Sequence, residues 1–135
     1  MGVAVKWDNE QHTTLLYTFT DPWDWGDYDL AAHLGRKMMD DSPHKVAIII
    51  DLIGTQNLAR GAIQRLSQGI EKVHPNRGTI VIVCTNPFVQ AIMSILTRLY
   101  PEHARDVHNV KTLEQARALA SRQPWIRGLF GNLRD

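Results

Sequence analysis

Apolar positions along this chain fall into short runs and helical stripes that alternate. Two runs rich in β-branched and aromatic residues, "VAVKWD" and "TTLLYTFT", are separated by the polar "NEQH", which predicts a hairpin. In "DPWDWGDYDLAAHLGRKMMDDSPH", Leu30, Leu34, Met38 and Ala31 keep helical spacing, with Asp21, Asp24 or Asp27 as candidate caps. "KVAIIIDL" is a continuous apolar run, the pattern of a strand covered on both faces of a parallel sheet. The turn "IGTQNL" leads to a helix carrying Ile63, Leu66, Ile70 and Val73. "TIVIVCT" repeats the buried-strand pattern, and Asn86-Pro87 opens a helix whose stripe is Val89, Ile92, Met93, Leu96 and Leu99. A weak strand at "DVHNV" precedes a helix opened by Thr112 with Gln115 three places on, a capping-box pair.

The resulting order, β-β-α-β-α-β-α-β-α, predicts an α/β domain: an N-terminal hairpin, then βα units building a mainly parallel sheet with right-handed crossovers. At 135 residues the chain fits one domain with a real core. We assign residues 1–121 to that domain. The tail, residues 122–135, contains Trp125, Ile126, Leu129, Phe130 and Leu133, which favours packing on the domain or on a second chain.

Charge changes the picture modestly. Residues 1–51 hold four Lys/Arg against nine Asp/Glu, and residues 52–135 hold eleven against five. Such asymmetry fits a dipolar docking surface or, more simply, solvated helix faces. The basic residues are scattered without an aromatic array, so nucleic acid is not an expected partner. No apolar run is long enough to span a membrane, and the first residues lack a signal-peptide core, so a cytoplasmic location is expected. Cys84, the single cysteine, falls in a predicted buried strand and reads as a structural thiol. The six histidines, at 12, 33, 44, 74, 103 and 108, show no zinc spacing and read as surface residues; no metal or cofactor is expected.

Three segments in this order carry a resemblance: "IIIDLIG", "VIVCTNPFVQAIMSIL" and "VKTLEQARALA". Together, over roughly residues 3–121, they resemble the STAS domain of anti-sigma-factor antagonists and sulfate-transporter tails. That family typically has Asp-Leu-Ser-Gly, a strand-Ser-Pro-helix segment and a closing Ser/Thr-Leu-Glu-Glu-Ala helix. The resemblance implies a STAS-like fold with helices mostly on one sheet face, and a bacterial, non-enzymatic regulatory module that docks a protein partner. The regulated members carry a phosphorylatable serine where this chain reads "NLARGAIQ". Arg60 and Gly61, or Ala59 and Arg60, stand at that position, so no phosphoswitch is expected. An arginine at a helix start also offers a place for an anion.

Two other classes compete. Asp51, Thr85 and Lys111 imitate the phosphoacceptor set of a receiver domain, although the acidic pair that would hold Mg²⁺ is missing and Asp51 reads better as a carboxylate bonded to its own turn. The segment "DPWDWGDYDL" packs two Trp and a Tyr among four Asp. Trp23, Trp25 and Tyr28 there are candidates for a partner-binding patch, for the wall of a small-molecule or lipid pocket, or for simple cover of the sheet edge. With Thr55, Asn57 and Arg60 they complete the set of candidate binding residues. A homodimer is compatible with this reading.

Overall fold

In the computed structural model, the residues described are 2–56, 58, 60–71 and 74–122. Strands β1 (Val3–Trp7) and β2 (Thr14–Thr20) form the N-terminal hairpin, paired antiparallel with Val5 opposite Tyr17. Helix α1 (Trp25–Asp40), β3 (Val46–Gly54), α2 (Ala62–Glu71), β4 (Arg77–Val83) and α3 (Pro87–Leu99) follow. The single turn α4 (Pro101–Ala104), β5 (Val107–Val110) and α5 (Leu113–Ser121) complete the order. The apolar tail from Trp125 to Leu133, expected to pack on the domain or a second chain, lies outside the described residues.

The five strands lie in chain order β1-β2-β3-β4-β5, and every pair after the hairpin is parallel. The connecting helices α1 and α3 pack on one face of the sheet, as crossovers of one hand that all step the same way require. The two apolar faces of the sheet separate cleanly. One collects Leu15, Tyr17, Phe19, Val46, Ile48, Leu52 and Ile82 against Ala31 and Met39 of α1 and Val89 of α3. The other collects Leu16, Ala47, Ile49, Val81 and Val83 against Ala116 and Ala120 of α5. β3, buried on both faces through Val46–Ile49, is the third of five strands, which accounts for its unbroken apolar run.

Local chemistry sets the boundaries. Asp24 caps α1: its carboxylate accepts from the Asp27 N–H while the Asp27 carboxylate accepts from the Asp24 N–H. Asn86 caps α3 ahead of Pro87, and Thr112 with Gln115 forms the reciprocal box of α5. Of the three aspartates considered for α1, Asp24 is the cap.

Some expected faces are corrected. Leu30 and Leu34 stand half-exposed on α1, and its buried positions are Ala31, Gly35 and Met39. Small residues face the sheet because Tyr17 rises from β2 against them: a Cβ at Gly35 would overlap the Tyr17 hydroxyl. On α3, Val89 and Leu96 are buried while Leu99 is exposed. On α2, Ile63 is exposed; Val73 lies outside the described residues. His74 is not a surface residue. It is buried, its Nδ1 accepts from the Asn76 N–H at 3.0 Å, and its Nε2 therefore carries the proton given to Asp40 at 2.6 Å.

The charge asymmetry is met in part within the fold. Asp8 and Asp29 of the acidic segment pair with Arg117 and Arg65 of the basic one, and Asp40 accepts from His74. Asp29, one of the four aspartates of "DPWDWGDYDL", thus has a basic partner. Among the described residues no helix is long and apolar enough to cross a membrane.

Candidate functional site: a chamber between the sheet and three helices

On the α1–α3 face the helices do not close onto the sheet. They enclose a chamber of about 510 Å³. Its floor is the apolar row Tyr17 and Phe19 of β2, Ile48, Ile50 and Leu52 of β3, and Ile80 and Ile82 of β4. Its roof is Ala32 and Met39 of α1, Arg65 and Gln68 of α2, and Met93 and Leu96 of α3. Asp29 and Gln68, both exposed, mark the side open to solvent. Protein interiors are normally packed with few voids larger than a water molecule. This space is open to solvent on one side and roomy enough to take a small molecule.

At the end where β2 and β3 finish, the candidate residues come together. Trp23 meets Phe19 edge-on with ring centroids 5.0 Å apart, Trp25 meets Trp23 at 5.1 Å, and Tyr28 meets Trp25 at 5.4 Å. The polar tips of the two indoles are satisfied, as burial of such rings requires. Trp23 Nε1 donates to Thr55 Oγ1 at 2.9 Å, and Thr55 donates to Asp21 Oδ1 at 2.7 Å. The Gln56 N–H donates to Asp21 Oδ2 at 2.9 Å, and Trp25 Nε1 donates to the Arg60 carbonyl at 2.6 Å. The turn after β3 is therefore tied to the start of α1 through four hydrogen bonds. The donations from Thr55 and Gln56 hold the Asp21 carboxyl below its ordinary value of 3.8. Arg65 pairs with Asp29 at 2.5 Å and lies 5.5 Å from the Trp25 ring centre.

Trp23, Trp25, Tyr28, Thr55 and Arg60 thus share one end of the chamber, Arg60 through its main chain while its side chain is exposed. Asn57 lies outside the described residues. Asp51 does not face the chamber: it alternates with Ile50 and Leu52 toward α5, where its charge helps raise the Arg117 pKa after that of Asp8. Its Oδ1 accepts from the Ile53 N–H at 3.0 Å. Thr85 and Lys111 are exposed. Among the described residues no group of three or more His, Cys, Asp or Glu is placed to hold a metal ion.

Two lining residues had no sequence signal of their own. Tyr17 is buried, and burial followed by the nearby Tyr28 pushes its hydroxyl up to about 12. Arg77 reaches the chamber through a register break. Val46 pairs with Arg77 and Ile48 with Ile80, so two steps of β3 run beside three of β4. The extra residue returns Arg77 to the face of Val46 and Ile80, where strict alternation from Val81 would have sent it toward α5. The guanidinium is held below its ordinary pKa by burial, partly offset by Asp106.

No protein-family model, curated protein or solved structure matches the chain.

Proposed function

We propose that the domain is a non-enzymatic binding module that holds an apolar or amphiphilic small molecule between its sheet and helices α1–α3, on a STAS-like architecture. The chamber carries this reading. Its volume lies within the ~300–1,000 Å³ of ligand sites, and its wall is apolar and aromatic with a few polar groups at its ends, the usual make-up of such sites. Trp23 and Trp25 form part of the wall, so occupancy has a built-in optical reporter.

Nile red, a neutral apolar dye, tests the reading. Wild-type chain is expected to bind it saturably at one per chain, with a blue-shifted emission. Ile80→Trp, which puts an indole on the chamber floor, is expected to abolish that binding while far-ultraviolet circular dichroism stays unchanged. Dye binding that is equal in both proteins overturns the assignment.

A second reading, regulatory docking of the kind the STAS resemblance implies, is supported by a different surface. On α3, Phe88 and Leu99 are 54% and 58% exposed, and Ile95 shares their stripe at helical spacing. Leu99→Glu is expected to reduce partner recovery in a pull-down if that surface docks, whereas Trp23→Ala is expected to act on the chamber. Equal recovery by wild type and Leu99→Glu removes the docking reading at this stripe.

A further inference from the structure

The chamber has chemically unlike ends. One is the aromatic cluster of Trp23, Trp25 and Tyr28. The other lies at the start of β4, where Arg77 lines the wall near the end of α3. Three observations set Arg77 apart. Its side chain is only 10% exposed, although a guanidinium is among the groups least often buried unless paired. Its Nε is buried and has no hydrogen-bond partner among the described residues. Its nearest carboxylate among the described residues, on the largely exposed Asp106, stands at 4.0 Å, beyond hydrogen-bond range.

A charge left in this condition costs free energy, because desolvation is only weakly compensated. The chain reaches this arrangement through a bulge, a device that re-aims a side chain beside a site. By contrast, Arg65 at the same chamber's rim has Asp29 at 2.5 Å and Arg117 on the other face has Asp8 at 2.9 Å. Arg77 lines the chamber and lacks comparable pairing.

We propose that Arg77 receives the carboxylate of an amphiphilic guest whose apolar chain fills the chamber. The proposal rests on the chamber reading above and adds the chemical class of the ligand. A carboxylate brings the single negative charge that balances one guanidinium and accepts two of its N–H donors side by side. The hydrocarbon part then lies along Ile80, Ile48 and Ile50 toward the Trp23 end.

The test compares three probes of equal chain length, dodecanoate, dodecanol and dodecylamine, by quenching or shift of tryptophan fluorescence in the full chain. In wild type dodecanoate is expected to bind roughly 10- to 100-fold more tightly than dodecanol, with dodecylamine weakest. Arg77→Gln is expected to bring dodecanoate down to the affinity of dodecanol and leave dodecanol unchanged. In wild type alone, the Arg77 side-chain ¹⁵Nε resonance is expected to move with dodecanoate and stay with dodecanol, which decides the matter even if the variant does not fold. Equal binding of dodecanoate and dodecanol, or a still Arg77 resonance, overturns the anchor while leaving the chamber intact. Absence of binding by all three removes the chamber reading and this one with it.

Discussion

Gly35 shows how a single position sets the distance between helix and sheet. With no side chain there, the Tyr17 hydroxyl occupies the space a Cβ would need. Gly35→Ala is therefore expected to destabilise the domain by about 1–3 kcal/mol, the usual cost of overpacking, and to lower Tm by several degrees. The double variant Gly35→Ala/Tyr17→Phe is expected to recover part of that loss in thermal melts. Asp21 gives a pH signature. Its carboxyl is held below 3.8 in the folded chain by the Thr55 and Gln56 donors, so its contribution to stability is complete above that value and is lost as pH falls through the folded one. Asp21→Asn is expected to flatten the acid limb of Tm against pH below about 4 and leave the neutral region with the same slope. Tyr17 works in the opposite range. Its hydroxyl is raised from 10.0 to about 12, so its contribution is present below pH 10 and is lost as pH rises toward 12.

At the level of elements, α1 and α5 each start on their own capping box, and the two boxes are independent because they sit at separate places in the fold. Asp24→Ala and Thr112→Ala are each expected to cost about 1 kcal/mol in chemical denaturation, adding in the double variant. Gly61, just before α2, has φ of +82° with open space where a Cβ would point, so Gly61→Ala should cost about 1 kcal/mol from backbone strain alone. These elements were legible in the sequence because their determinants are local. The hairpin, the apolar run of β3, Asn86-Pro87 and the Thr112–Gln115 box each lie within a few residues. The inward face of α1 was legible only in part. Ala31 and Met38 meet the core as their spacing suggested. The spacing also favours the large Leu30 and Leu34, which stand half-exposed because Tyr17 leaves room only for Gly35. The bulge that aims Arg77 was equally hidden. It is a property of how β4 registers with β3, and a strand-start arginine before "TIVIV" carries no mark of it.

For the molecule as a whole, the sheet is covered unequally. α5 lies close on one face through Ala116 and Ala120, while α1, α2 and α3 leave 510 Å³ on the other. Composition hinted at one end of that space through the crowded aromatics of "DPWDWGDYDL", and the structure brings Trp23, Trp25 and Tyr28 to its wall. The space itself depends on three helices separated in sequence, so no single segment could announce it. A guest confined there binds the folded chain only, and at a hundred times its Kd it should stabilise the domain by about 2.7 kcal/mol, read as a concentration-dependent rise in Tm.

The chamber's occupancy by an apolar guest is tested most directly by intermolecular nuclear Overhauser effects between dodecanol and the methyl groups of the chain. Contacts are predicted to Ile48, Ile50, Ile80 and Ile82, with none to Ile49, Val81 and Val83 across the sheet. Contacts confined to Phe88, Ile95 and Leu99 on the outer side of α3, or none at all, would contradict it.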